Sequence, residues 1–134
     1  MSEYLKPLPK PSPTSRPFWD AARRHELQLQ RCQACSKFIY YPRTRCPHCF
    51  SDQLEWKRVS GRGKVYSYTV VRRPSSRVFE SPYILAIVEL DEGPRMTTNI
   101  VAKPEQMKVE MPVEVYFDDV TADQTLVKFK PRAA

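Results

Sequence analysis

Cys32-Gln33-Ala34-Cys35 and Cys46-Pro47-His48-Cys49 hold all four cysteines of the chain, as two Cys-x-x-Cys pairs with ten residues between them. Each pair forms a tight turn that presents two sulfurs to one tetrahedral ion. The intervening Phe38-Ile39-Tyr40-Tyr41 supplies a short strand that returns the second pair to the first. The spacing predicts a four-thiolate zinc ribbon with Cys32, Cys35, Cys46 and Cys49 as ligands. Iron in a rubredoxin-like site is the alternative metal, since four thiolates suit both. Two disulfides are disfavoured because Met1-Ser2-Glu3-Tyr4-Leu5-Lys6-Pro7 does not read as a secretory signal, and a redox dithiol is disfavoured because such motifs come singly at a helix start. His48 lies inside the second pair, where four sulfurs already suffice, and is expected to be a turn residue.

Working outward on the N-terminal side, Glu26-Leu27-Gln28-Leu29-Gln30-Arg31 alternates polar and apolar residues and predicts a strand running into Cys32. Before it, Thr14-Ser15 and Pro17 signal a short helix through Phe18-Trp19-Asp20-Ala21-Ala22-Arg23-Arg24, whose two large aromatics need cover from the rest of the chain or from another protein. Pro7, Pro9, Pro11, Pro13 and Pro17 make the first 17 residues a polyproline-like arm, either disordered or laid on a partner.

On the C-terminal side the pattern is all-β. Leu54–Val59 and Lys64–Val71 read as strands separated by Ser60-Gly61-Arg62-Gly63, which holds two of the three glycines of the protein and predicts a bend or bulge. Tyr83–Leu90, the turn Asp91-Glu92-Gly93-Pro94, Met96–Val101, Val113–Phe117 and Thr125–Phe129 continue the series, with one helical turn at Pro104-Glu105-Gln106-Met107. The expected architecture is mainly β: a Pro-rich arm and short helix over 1–25, a zinc ribbon over 26–52, and a five- to six-stranded OB-like barrel over 53–134, with a small sandwich as its rival.

At 134 residues the chain has room for one ordinary domain and a small appendage, which excludes a large two-domain enzyme. The longest apolar run, Tyr83–Val88, is far too short to span a bilayer, so a cytoplasmic protein is expected. The formal net charge of +7 falls to about +5 if four thiolates hold one Zn2+. The surviving excess favours acidic partners such as nucleic acid or the phosphates of a nucleotide-like ligand, and equally serves solubility. With the cysteines committed to metal, His25 and His48 as the only histidines, and no Gly-x-Ser-x-Gly, phosphate loop or His-Glu-x-x-His, the chain offers no catalytic pair. A tetrathiolate zinc has no open coordination position, so its expected role is structural.

Several stretches resemble, in order, a family of small proteins built from an N-terminal helix, a rubredoxin-like zinc ribbon and an OB-fold. These are Pro17-Phe18-Trp19, Leu29–Cys35, Pro42-Arg43 before Cys46–Cys49, Leu54-Glu55-Trp56, Ser60–Val71, Pro82-Tyr83, Val88-Glu89-Leu90, Glu92–Arg95 and Met111–Val115. That family supplies accessory subunits of thiolase-like, acyl-CoA aldolase and related acyltransferase complexes. The pattern departs where a glycine commonly follows each Cys-x-x-Cys; Ser36 and Phe50 stand there instead, which implies a costlier backbone in both turns. The resemblance implies a non-catalytic subunit that stabilises a thiolase-like or aldolase catalytic subunit, in a heterotetramer, and helps to shape the entrance for the coenzyme A part of an acyl-CoA. Arg62, Lys64, Arg72, Arg73 and Arg77 are the candidate coenzyme A phosphate ligands, because guanidinium groups bind phosphate with charge-assisted hydrogen bonds. The alternative is a single-strand nucleic-acid binder, with Tyr66 and Tyr68 on one strand face and Phe79 and Tyr83 nearby, although Glu89, Asp91, Glu92, Asp118 and Asp119 interrupt the basic surface. A rubredoxin-like electron carrier is a third reading and requires iron.

Overall fold

A helix that ends in a left-handed residue opens the structure, a computed structural model that describes residues 6–74, 79 and 82–132. Helix α1, Arg16–Arg23, follows Ser15 as the sequence predicts, with Pro17 in its first turn, where a missing N–H costs nothing. The Ser15 side chain makes no helix-capping bond; it is fully buried, and its Oγ accepts the Ser12 N–H at 2.9 Å. At the other end His25 adopts φ 60°, Glu26 N–H donates to the Ala21 carbonyl at 3.0 Å, and His25 N–H donates to Ala22 at 2.9 Å. This is a Schellman closure, which satisfies the last carbonyls and turns the chain into the next strand. His25 also stacks on Phe117 with centroids 5.3 Å apart, and its Nε2 meets the two carboxylate oxygens of Asp119 at 3.0 and 2.9 Å. The Thr125 hydroxyl and His25 together hold the Asp119 carboxyl below its ordinary value.

The strands fall into two sheets. Strands β1 (Gln28–Cys32), β2 (Phe38–Ile39) and β3 (Leu54–Arg58) form a three-stranded antiparallel sheet in the order β2-β1-β3. Strands β4 (Arg62–Val71), β5 (Tyr83–Leu90), β6 (Arg95–Asn99), β7 (Pro112–Asp119) and β8 (Thr125–Pro131) form a five-stranded sheet in the order β6-β5-β4-β7-β8. The edges β6 and β8 approach one another: Ile100 bridges Phe129 in parallel, the Val101 N–H donates to the Phe129 carbonyl at 2.8 Å, and Thr98 Oγ1 donates to the Val127 carbonyl at 3.2 Å. The result is a nearly closed five-strand OB-fold barrel with a single 3-10 turn, Pro104–Gln106, between its third and fourth strands.

One expected placement changes. Leu54–Arg58, read as the first barrel strand, pairs with β1 from Cys32↔Leu54 to Gln28↔Arg58 and completes the ribbon sheet. An isolated strand carries no record of its pairing partner; the ribbon claims this one because β1 otherwise has only the two-residue β2 beside it. The glycine bend therefore joins the two sheets. Gly61 has φ 76°, and a Cβ there would lie 2.5 Å from Val115 Cγ1.

The larger of two buried clusters unites the parts. Phe18 of α1, Leu27, Leu29 and Val59 pack into the same cluster as the barrel residues Val65, Ile84, Val88, Met96, Val113 and Phe129. The large aromatics of α1 thus find cover within the chain, Phe18 buried and edge-on to Trp19 at 5.0 Å. The arm also lies on the barrel at one point, where Gln124 Nε2 donates to the Pro9 carbonyl at 3.0 Å. No helix among the described residues is long and apolar enough to cross a membrane.

Candidate functional site

The two turns predicted from the cysteine spacing bring their sulfurs together. The Sγ atoms of Cys32, Cys35, Cys46 and Cys49 all lie within 4.8 Å of one another, with Cys32 to Cys49 at 3.5 Å and Cys35 to Cys46 at 3.7 Å. A zinc ion bonded tetrahedrally at about 2.3 Å requires sulfur separations of about 3.8 Å, so the donor set fits the ion. β1 delivers Cys32 at its end, and the Ser36 N–H to Cys32 carbonyl bond at 2.8 Å closes the first knuckle. Phe50 N–H to the Cys46 carbonyl, also 2.8 Å, closes the second. Backbone N–H groups point at the sulfurs, Cys35 N–H toward Cys32 at 3.5 Å and His48 N–H toward Cys46 at 3.3 Å, which favours the thiolate form that a metal needs. Cys32 and Cys49 are shifted in opposite directions. The Cys35 N–H lowers Cys32 to about 6. At Cys49 the Ser51 N–H pulls downward but is outweighed by the Cys32 sulfur, burial and the other two sulfurs, which push it up to about 12. A dication held by all four would displace the remaining protons and leave no open position, so it supplies folding free energy and does not activate water. His48 is an exposed turn residue, as expected.

Buried Gln30 is a contributor that the sequence reading missed. Its Nε2 donates to the Arg43 carbonyl at 2.8 Å, and its Oε1 accepts the Arg43 N–H at 2.7 Å, which clamps the approach to the second knuckle against β1. The only sequence signal was a polar residue inside an alternating strand.

Ser36 and Phe50 adopt φ 66° and 64°, the left-handed conformation expected where glycine is replaced. Replacing Ser36 by Gly is expected to stabilise the metal-loaded chain by about 1 kcal/mol, because the left-handed penalty of roughly 1–2 kcal/mol is partly offset by the greater freedom of glycine when unfolded. Thermal unfolding of the two forms in excess zinc checks this; an unchanged or lower midpoint contradicts it.

The candidate coenzyme A ligands do not form one cluster. Arg62 and Lys64 start the ten-residue β4, and Arg72 and Arg73 lie just past its end. At about 3.3 Å per residue the two sets are on the order of 25 Å apart. Lys64 pairs with Glu110 at 2.9 Å, and that contact raises its pKa. Arg72 and Arg73 are exposed, while Arg77 lies outside the described residues. Next to the Arg72 end, where Val71 pairs with Tyr83, a groove of about 580 Å³ runs beside Phe79, Tyr83, Leu85, Val101, Lys6 and Pro7. Tyr66 and Tyr68 do not share a face. The register of β4 against β5 shifts between Val65 and Ser67, so Tyr66 occupies a bulge, exposed with Arg95 stacked 3.8 Å above its ring. Tyr68 turns inward and donates to the Met107 carbonyl at 3.1 Å. An extra residue inverts the alternation of every side chain after it, and the stacking pair required by nucleic-acid binding is lost.

Comparison with known proteins agrees with this geometry. Residues 19–55 match the family described as "ChsH2, rubredoxin-like zinc ribbon domain" and residues 56–118 match "ChsH2, C-terminal OB-fold domain". A DUF35 domain-containing scaffold protein of Methanothermobacter thermautotrophicus is 32% identical over 89% of this chain and 96% of its own length. The chain belongs to the DUF35 family. A second relative, a probable enoyl-CoA hydratase alpha subunit of Thermomonospora curvata, is 37% identical over 95% of the chain, which spans 40% of that longer protein. A benzoylsuccinyl-CoA thiolase subunit of Geobacter metallireducens is 28% identical over 66% of the chain and 60% of its own length. Among solved structures, the one described as "Ltp2-ChsH2(DUF35) aldolase" matches with a TM-score of 0.84 and 36% identity over 92% of this chain and 98% of the other. Proteins similar to this chain thus carry names from acyl-CoA hydratases, thiolases and an aldolase, and the match to a rubredoxin-like zinc ribbon supports structural zinc at the four cysteines of this DUF35 protein.

Proposed function

We propose that this DUF35 protein is a non-catalytic scaffold subunit of an enzyme that converts acyl-CoA thioesters, stabilising a larger catalytic subunit and contacting the coenzyme A part of its substrate. The observation that carries the reading is the match over 98% of a chain solved with the description of an aldolase, at a TM-score of 0.84. The site chemistry agrees with it. A tetrathiolate centre offers no open coordination position, His25 is engaged by Asp119, and His48 stands in the second knuckle, so the reacting groups belong to the other subunit. The phosphates of one coenzyme A cluster at its nucleotide end and engage one basic set only. Arg72 and Arg73 are the better set, because Lys64 is already paired with Glu110 and the apolar groove adjoins the Arg72 end. Two copies of this chain on a dimeric catalytic subunit give the heterotetramer implied by the thiolase-like resemblance.

Affinity purification of the tagged chain from its native host, with mass spectrometry, size-exclusion chromatography and a nuclease-treated control, tests this reading. Stoichiometric recovery of one acyl-CoA enzyme subunit that survives nuclease is expected. In that complex Arg72→Glu with Arg73→Glu should raise KM for the acyl-CoA about tenfold or more, the loss of one or two charge-assisted phosphate contacts, with assembly unchanged. A lone chain, or partners released by nuclease, overturns the proposal and returns the nucleic-acid reading.

A further inference from the structure

The second knuckle carries a side chain that the fold does not use. Phe50 is 73% exposed, more than any other large apolar residue described, and it holds φ 64°, a conformation that penalises every residue with a Cβ. A glycine would relieve both costs. The backbone that bears the ring is nonetheless fixed: the Phe50 N–H donates to the Cys46 carbonyl at 2.8 Å, its carbonyl accepts from Arg45 Nη1 at 3.2 Å, and the knuckle belongs to the four-sulfur cluster. An exposed aromatic on a fixed backbone is the form of an interface anchor, since only its two side-chain torsions remain to be ordered when it is covered.

Its surroundings indicate the chemistry of what covers it. Residues 27–51 contain no Asp or Glu, and Arg43 and Arg45 are exposed with no ion-pair partner among the described residues. Arg43 and His48 line one wall of a cleft of about 410 Å³ between ribbon and barrel, and Arg95 and Glu89 line the other. Glu89 is the single acid there, set cross-strand between Lys64 and Arg95. Asp52, exposed two residues beyond Phe50, is a second acid near it, so the side chains Arg43, Arg45 and Arg95 keep a small basic excess over Glu89 and Asp52, and the thiolate charge beside them is met by backbone N–H groups. A second copy of this chain is a poor occupant: the apolar groove that could receive the ring is lined by Lys6 and by Lys128, the latter paired with Asp118 at 2.6 Å, and its described lining holds no carboxylate to meet Arg43 and Arg45.

We infer that Phe50 and the adjoining cleft form a docking face for the catalytic subunit, with the ring entering an apolar pocket whose rim carries carboxylates opposite Arg43, Arg45 and Arg95. This rests on the scaffold reading and names the surface through which it operates.

The test titrates full-length chains against the catalytic subunit recovered with the wild type, in low and high salt, with zinc content checked. Phe50→Gly should raise the thermal midpoint of the isolated chain and yet raise Kd at least about tenfold, a split that a merely structural residue would not give. Arg43→Glu with Arg45→Glu should raise Kd by a similar factor and flatten its salt dependence. Val109→Ser removes another exposed apolar side chain, from the barrel, and should leave Kd unchanged. Phe50→Gly binding like the wild type, or Val109→Ser weakening it equally, overturns this inference while the scaffold role stands. Self-association of the chain that Phe50→Gly abolishes overturns it in favour of a homodimer. A wild type that recovers no catalytic subunit overturns both.

Discussion

Cys32→Ser, or removal of metal by a strong chelator, is expected to unfold the ribbon over residues 28–58 and to lower the stability of the whole chain. The ribbon has almost no core of its own: Cys32, Ile39 and Cys46 are its buried cluster, with Cys35 and Leu54 packed against it, and β2 is two residues long. Structural zinc sites contribute on the order of 10–16 kcal/mol of apparent binding free energy at neutral pH, far more than such a cluster provides. Serine replaces a thiolate at a site that is 0% exposed, so the remaining sulfurs cannot complete the coordination. The damage spreads because Leu27 and Leu29 share one cluster with Val65 and Phe129 of the barrel. Amide hydrogen exchange should show loss of protection over β1, β2 and β3, with the barrel strands retained at low temperature. Zinc release should also follow acidification, since protons compete for the thiolates. Full protection of these amides in a chain shown to contain no metal would contradict the structural role.

Gly63→Ala should be nearly as damaging from within the barrel. Gly63 sits on the central strand of the barrel, paired with Leu90 on one side and Val113 on the other. A Cβ would stand 2.5 Å from the Glu89 carbonyl oxygen and 3.0 Å from Val88 Cγ1. The obstruction is backbone in a paired strand, so it cannot rotate away, and β4 would have to separate from β5. Overpacking of this kind costs about 3 kcal/mol, equivalent to a fall of roughly 10 °C in Tm for a chain of this size. Calorimetry of the zinc-loaded protein measures it; a midpoint within about 2 °C of the wild type would mean that the strands part at little cost. Both predicted losses weaken the docking face indirectly, whereas Phe50→Gly is expected to weaken it in a more stable chain, so the three variants separate folding from recognition.

The metal site was legible because a Cys-x-x-Cys pair encodes its own local geometry: four residues suffice to close a knuckle, and two knuckles suffice to define a tetrahedral donor set. The costlier backbone at Ser36 and Phe50, left-handed in the structure, was legible only through the family resemblance, whose glycines they replace, and the strand over Tyr83–Leu90 was legible from its apolar run. The functional surfaces were less so. Arg62 with Lys64 at the glycine bend, and Arg72 with Arg73 in the loop after the strand, were named together as candidate phosphate ligands, yet the extended β4 between them holds the two sets at its opposite ends. Tyr66 and Tyr68 read as one face until a bulge inverted the second.

What the sequence determined by itself is therefore the set of properties fixed within a few residues: ligand spacing, strand periodicity, the glycine bend and the helix start. The tertiary structure alone decided that β3 belongs to the ribbon and that His25 meets Asp119 across 94 positions of sequence. It also decided that Arg43 and His48 face Arg95 across a cleft. The division is physical. Local conformation follows from sterics and hydrogen bonds between near neighbours, whereas pairing partner, register and shared surface follow from which apolar faces bury one another over long distances, where many pairings satisfy the same local pattern.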